Sequence, residues 1–130
     1  MTGLDTNILV RAVVADIPEQ TRKVTRFFAT LSVESPGYIS LVCLAESVWV
    51  LRSKYHHPKS VIVQWLAYLL DTPELVFENQ PAVEQAFLTY ANAKSDFSDC
   101  LIERAGHVAG CTATVTFDKG AAKAAGMRLL

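Results

Sequence analysis

Apolar residues recur every three or four positions through much of this 130-residue chain. That spacing places apolar side chains on one face of a helix, so each such stretch is predicted to be helical. Proline and glycine mark where several of these stretches begin or end. The predicted helices cover residues 8–13, 18–31, 41–54, 59–70, 81–91 and 96–110, followed by a small alanine-rich helix before residue 128.

Short runs of apolar or β-branched residues separate these helices. Strands that alternate with helices favour an α/β fold with a mostly parallel sheet. The chain length suits one domain, so residues 1–130 are predicted to fold as a single unit. The predicted strands are residues 2–4, 38–39, 75–77, 113–117 and 128–130.

Composition and charge exclude several classes of protein. Hydrophobic residues make up 51% of the chain and charged residues 19%, which excludes a disordered protein. The longest apolar run is six residues, far below a membrane span. A net charge of −1 gives no support for nucleic-acid binding and leaves a local basic patch open. The three cysteines form no Cys-x-x-Cys pair, which argues against a disulfide framework. Position 5 is an acid, whereas a secretory signal has a basic end followed by an apolar stretch. Both features indicate a reducing, cytoplasmic setting.

Two acids directly follow apolar residues at the ends of predicted strands. Asp5 follows Leu4, and Asp118 follows Phe117. Ligands of open parallel sheets bind at the carboxyl ends of the strands. Asp5 and Asp118 are therefore candidate site residues.

A second pair of acids, Asp96 and Asp99, lies at the start of a predicted helix. Asp96 suits the capping position and Asp99 the first turn, where the helix dipole favours negative charge. The spacing is equally compatible with one acid capping the helix while the other faces a ligand. The structural and the functional interpretations both remain open at this point.

Glu46 is the only charged residue between Ser40 and Arg52, in a helix that is otherwise mostly apolar. A helix that is apolar nearly all round is predicted to be buried. A buried carboxylate needs a cationic partner or a metal ion, because leaving it unpaired is costly. The alternatives are a structural ion pair with Arg11 or Arg52, or a place in the functional site.

If these acids converge, their mutual repulsion has to be compensated. A set of oxygen ligands without histidine or cysteine favours Mg²⁺ or Mn²⁺ over Zn²⁺. Such ions support hydrolysis at phosphorus. The acids therefore indicate metal-dependent phosphoryl chemistry.

Four segments, in this order, resemble the motifs of the PIN-domain family, and in particular its VapC-type toxins. The opening motif is similar to residues 5–7 (Asp-Thr-Asn), and Glu46 matches the second acid. The central motif is similar to residues 96–102 (Asp-Phe-Ser-Asp-Cys-Leu-Ile), and the last to residues 116–119 (Thr-Phe-Asp-Lys). Many members have a further acid and an aromatic after the last motif, where this chain has Lys119-Gly120-Ala121-Ala122, which puts local RNA contacts in doubt.

The resemblance implies an α/β/α sandwich with a central, mostly parallel sheet of four or five strands flanked by helices. It implies Mg²⁺- or Mn²⁺-dependent endoribonuclease activity, with transfer or ribosomal RNA as possible targets. It also implies a homodimer and a VapB-type antitoxin that covers the active site. By carry-over, the metal-binding and catalytic acids are Asp5, Glu46, Asp99 and Asp118, with Asp96 as an additional acid. The residues expected to orient these carboxylates are Thr6, Asn7 and Thr116.

RNA binding requires positive charge near the acids. The candidates are Arg11, Arg52, Lys94 and Lys119.

Two other functions fit parts of the sequence. A catalytically weak PIN-like scaffold could bind only a partner, although all the motif acids are present. An aspartyl-phosphate phosphatase also places an Asp after its first strand. Those phosphatases usually have a second Asp two residues later, where this chain has Asn7.

Overall fold

The computed structural model describes residues 1–130 and contains seven helices and five strands. Helix and strand alternate through most of the chain, as the apolar spacing predicts. The elements are β1 (Thr2–Gly3), α1 (Thr6–Arg11), α2 (Pro18–Phe28), β2 (Gly37–Ile39), α3 (Leu41–Ser53), α4 (Lys59–Leu70), β3 (Leu75–Phe77), α5 (Gln80–Asn92), α6 (Phe97–Val108), β4 (Val115–Thr116), α7 (Lys119–Ala124) and β5 (Arg128–Leu129).

All strand pairs are parallel, which confirms the predicted α/β class. Strands β1, β2 and β3 form one sheet in that order, with Gly37 opposite both Thr2 and Leu75. Strands β4 and β5 form a separate two-stranded sheet. The expected four or five strands are thus present, but they are divided between two sheets. Strands β1, β4 and β5 are only two residues long, so each offers few backbone groups for pairing.

Local chemistry explains where several helices begin and end. The Ser40 hydroxyl accepts a hydrogen bond from the backbone N–H of Cys43 at 3.1 Å and caps α3. Pro18 occupies the first turn of α2, where its missing N–H costs nothing. Gly110 follows α6 with a φ of +98°, the left-handed conformation that commonly ends a helix.

One hydrophobic core of 20 buried residues connects the helices to the sheet. Leu44, Leu51 and Ile62 are completely buried within it. Phe97 is also completely buried, and its ring meets that of Tyr90 edge to face, with centroids 5.4 Å apart. This contact fixes the start of α6 against α5. No helix combines the length and the apolar character needed to cross a membrane.

Candidate active site

Three of the predicted acids cap the helices that follow them. The Asp5 carboxylate accepts a hydrogen bond from the N–H of Thr6 at 2.8 Å. Asp96 and Asp118 cap α6 and α7, at 3.4 and 3.1 Å from the backbone nitrogens that they accept from. Each cap uses one carboxylate oxygen and leaves the other without a hydrogen-bond partner in the protein. Capping therefore holds these carboxylates in place while keeping an oxygen available to a ligand.

Asp99 lies in the first turn of α6 and is partly buried. Burial raises the pKa of its carboxyl group, and the negative charges of Asp96 and Asp118 raise it further. The effect of Asp118 on Asp99 indicates that two motifs far apart in the sequence are close in space. We call Asp96, Asp99 and Asp118 the Asp99 group.

Asp5 and Glu46 form a second pair, which we call the Asp5 group. Both line a cavity of about 240 Å³ between α1 and α3. Cys43 lies near both acids. Burial raises the pKa of its thiol, and the charges of Asp5 and Glu46 raise this pKa further. The nearby side chain of Thr6 lowers the pKa of this thiol and partly offsets that rise. The first and second motif acids are therefore close enough to act on the same neighbour.

The prediction that Glu46 is buried is wrong, because its side chain is exposed. Val42, Glu46 and Trp49 are spaced by four and three positions, so they share one face of α3. Val42 is 74% exposed and Trp49 65% exposed, which shows that this face meets solvent. Because Val42 and Trp49 are apolar, the sequence does not reveal that this face of the helix is exposed.

Of the two alternatives for Glu46, the structural ion pair with Arg11 or Arg52 is absent. Arg11 instead forms an ion pair with Asp16 and donates to the Tyr55 hydroxyl at 3.0 Å. Arg52 donates to the carbonyl oxygen of His57 at 3.1 Å. The Glu46 carboxylate thus has no structural partner that would explain its position.

The remaining predicted residues differ in how they relate to the acids. Thr6 is buried, and Asn7 and Arg11 line the cavity of the Asp5 group. The hydroxyl of Thr116 accepts the backbone N–H of Asp118 at 3.0 Å and orients the turn that bears this acid. The basic residues Lys94 and Lys119 are exposed.

Two residues at the site, Cys43 and Tyr55, were not predicted from the sequence. Cys43 lies one turn before Glu46 on α3, a spacing that could have indicated contact with it. Tyr55 lines the cavity of the Asp5 group beside Lys54. It comes from the connection after α3, and no local pattern marks it.

The acid that is buried is Glu103, at 8% exposure. It pairs with the adjacent Arg104, with Oε1 2.8 Å from Nη2, and this pairing raises the pKa of the guanidinium. Arg104 also donates to Gln85 at 3.2 Å. This pair joins α6 to α5 and has a structural role.

The chemistry of the acids suits a divalent metal ion, but the distances between them do not. Carboxylate oxygens are the ligands that Mg²⁺ and Mn²⁺ prefer, and a cation would relieve the repulsion within the Asp99 group. No three side chains among the histidines, cysteines, aspartates and glutamates are close enough to hold a metal ion. Asp5 follows β1 and Asp118 follows β4, and these two strands lie in separate sheets. The Asp5 group and the Asp99 group are therefore two separate groups of acids.

Comparison with known proteins identifies the family. No curated protein and no solved structure matches the chain. A family model described as PIN domain matches residues 4–127, which include all five motif acids. The chain therefore belongs to the PIN domain family, a nuclease-type family whose members generally use divalent metal ions.

Proposed function

We propose that this protein is a metal-dependent endoribonuclease and the VapC-type toxin of a toxin–antitoxin pair. The observation that supports the nuclease most strongly is the Asp99 group. Three carboxylates from two separate motifs lie close enough for Asp96 and Asp118 to raise the pKa of Asp99. Asp96 and Asp118 are explained as helix caps, but Asp99 caps no helix, and burial and both neighbouring acids oppose its charge.

As the structure stands, no three of the carboxylates lie close enough to hold an ion. The proposal therefore requires the Asp5 group and the Asp99 group to approach each other, so that Asp5, Glu46, Asp99 and Asp118 would hold Mg²⁺ or Mn²⁺, with Asp96 as an additional ligand. When bound, such an ion lowers the pKa of a water molecule and stabilises charge on phosphate oxygens. The residues of the chain hold and orient these carboxylates. The caps on α1, α6 and α7 fix three carboxylates, and Thr116 positions the turn before Asp118.

Glu46 has a different role in this proposal. Its exposed side chain lies in the cavity with Asp5 and has no ion-pair partner. It would ligate the metal or act through a bound water. Hydrolysis then adds water across the P–O bond, leaving a 5′-phosphate on one product and a 3′-hydroxyl on the other.

The proposed partner is a VapB-type antitoxin in the cytoplasm. The negative charge of the acids favours a basic side chain inserted by that partner. A separate apolar cavity of about 550 Å³, formed by α1, α2, α4 and β3, would accept the apolar face of a partner helix. Phe28, Trp65 and Tyr68 line this cavity, and Tyr68 is 70% exposed.

The protein is also proposed to form a homodimer. Leu88 on α5 is 59% exposed and Ile102 on α6 is 57% exposed. Helices α5 and α6 pack against each other, and in this proposal a second copy of the chain covers these two side chains.

The nuclease is tested with purified, antitoxin-free protein and a pool of small RNAs, in Mg²⁺, in Mn²⁺ and in EDTA. We expect cutting with either metal and none in EDTA. Asp99→Asn should lower the rate by about 100-fold or more, since even outer-sphere changes at metal sites cost about 10- to 100-fold. Glu34→Gln, an exposed acid outside both groups, is the matched control and should cut normally. Folded protein that cuts no RNA in either metal would favour the partner-binding scaffold.

A further inference from the structure

A second polar cavity lies next to the Asp99 group. Its volume is about 520 Å³, within the range of roughly 300–1,000 Å³ common for ligand sites. Residues from the end of α3, the α3–α4 connection, the start of α4, the end of α5 and the turn before α6 line it. We call it the α3–α4 pocket. Its basic residues are Arg52, His56, His57 and Lys59.

Two of these basic side chains are held in place while keeping donors available. Arg52 donates to the His57 carbonyl, and its guanidinium has further N–H groups with no protein partner. Lys59 donates to the carbonyl of Ala93 at 2.5 Å, and its ammonium lies 4.2 Å from the centre of the Tyr90 ring. Positioned cations with unused donors are suited to phosphate.

His57 lines the same pocket. Its Nδ1 atom is buried and is the only such side-chain atom without a hydrogen-bond partner within the protein. The neighbouring His56 has a φ of +54°, the left-handed conformation that commonly ends a helix, and the N–H of His57 donates to the carbonyl of Leu51 at 2.9 Å. The end of α3 thus places both imidazoles in the lining of the pocket.

Trp49 adds a stacking surface to the same pocket. It is 65% exposed and lines the pocket together with Arg52 and Lys59. Exposed aromatic rings beside positive charge are how proteins bind single-stranded RNA, because bases stack on the ring.

We propose that the α3–α4 pocket binds one nucleotide of single-stranded RNA, with the base on Trp49 and the phosphate on Arg52 and Lys59. Asp96 lines the pocket and also belongs to the Asp99 group. A strand held here therefore continues past the acids. This inference rests on the proposed nuclease function and assigns its substrate contact.

The test measures binding of labelled single-stranded RNA to full-length Asp99→Asn protein, which is not expected to cut it, across a series of salt concentrations. Adding Arg52→Ala should weaken binding and flatten the slope of log K against log salt by about 0.7, the value for one phosphate contact. Arg52→Lys should retain the slope. Adding Trp49→Ala should weaken binding by about 5-fold or more, as expected for one lost stack.

Controls are Arg22→Ala on α2 and Val33→Ala in the connection between α2 and β2, both exposed and outside the pocket. They should bind RNA as the parent does, and circular dichroism should show every variant folded. Arg52→Ala and Trp49→Ala variants that bind with the parent's affinity and salt slope would overturn the inference. So would a parent that binds no RNA. Pocket-dependent binding by a wild-type protein that cuts no RNA would contradict the proposed nuclease and leave this inference standing.

Discussion

At the scale of the residue, Asp99 has the surroundings that distinguish this site. It lies in the first turn of α6, where the helix dipole favours its charge. Burial and the neighbouring Asp96 and Asp118 oppose that charge more strongly, so the pKa of the carboxyl is raised. The fold thus tolerates an unfavourable carboxylate, which is expected where function requires it.

The raised pKa predicts that Asp99→Asn stabilises the protein at neutral pH. The folded state binds this proton more tightly than the unfolded state, so ionised Asp99 destabilises the fold above its raised pKa. The penalty disappears as pH falls below the ordinary range of an aspartate. Thermal unfolding without metal should therefore show a higher midpoint for Asp99→Asn at pH 7, and a smaller difference in acid. Equal or lower stability at pH 7 would contradict this prediction, with Glu34→Gln as the control.

Metal should reverse that order of stability. A ligand that binds only the folded state raises its stability by mass action. Mg²⁺ or Mn²⁺ should therefore raise the midpoint of the wild type and have a much smaller effect on Asp99→Asn, and EDTA should remove the increase. Midpoints that respond equally in both proteins would show that Asp99 is not a ligand.

The sequence identifies the acids at this scale but misjudges the surroundings of one of them. The cap at Asp96 follows from its place before an apolar helix, and the structure confirms it. Glu46 is exposed because it lies on the outer face of α3 with Val42 and Trp49, and these two apolar residues are why the sequence predicts burial. Apolar content alone therefore does not determine which face of a helix is buried.

At the scale of the element, helix starts hold the site together. Asp5, Asp96 and Asp118 cap the helices that follow them, and Ser40 caps the helix that bears Glu46. The same backbone N–H groups that define each helix start thus position a site residue.

Loss of the Ser40 cap should destabilise the protein measurably. Ser40→Ala removes the acceptor for the N–H of Cys43 and should lower the free energy of unfolding by about 0.5–2 kcal/mol. Ser40→Asn retains a good capping side chain and should restore most of the loss. Chemical denaturation of the three proteins checks this, and equal stability of the alanine and asparagine variants would argue against the cap.

The contact between α5 and α6 should matter far more than exposed aromatic surface. Phe97 is completely buried against Tyr90, so Phe97→Ala should cost about 3–5 kcal/mol. Phe117 is 81% exposed, so Phe117→Ala should stay within about 0.5 kcal/mol of the wild type. Denaturation midpoints compare the two directly, and a similar cost for both would refute the assigned packing.

The helices and strands could be predicted from the sequence because apolar spacing, and the proline and glycine residues that begin or end helices, act locally. Pro18 begins α2 and Gly110 follows the end of α6, as predicted. The division into two sheets could not be predicted. Pairing of strands two or three residues long depends on how the surrounding helices pack, and no local pattern records that.

At the scale of the whole molecule, one core extends from the first sheet to the end of α7. Ala125, just after α7, belongs to the same buried cluster as Leu4, just after β1. The expectation of a single domain therefore predicts one cooperative unfolding transition. Tryptophan fluorescence and far-ultraviolet circular dichroism should give the same denaturation midpoint, and two separate midpoints would contradict it.

Convergence of the acids is the part of the site that sequence reasoning leaves unsettled. Motif order and spacing predict which acids matter. Distances between chain segments far apart in sequence arise from packing, and the structure shows close neighbours within the Asp99 group and within the Asp5 group. The account requires the two groups to act together.

A mutant cycle in RNA cleavage tests that requirement most directly. The measurement is the rate of metal-dependent cutting by wild type, Asp5→Asn, Asp99→Asn and the double variant. If the two acids serve one site, each single change should cost about 100-fold or more, and the double variant should lose little beyond the worse single change. Costs that multiply in the double variant, or single variants that cut at the wild-type rate, would contradict a shared active site.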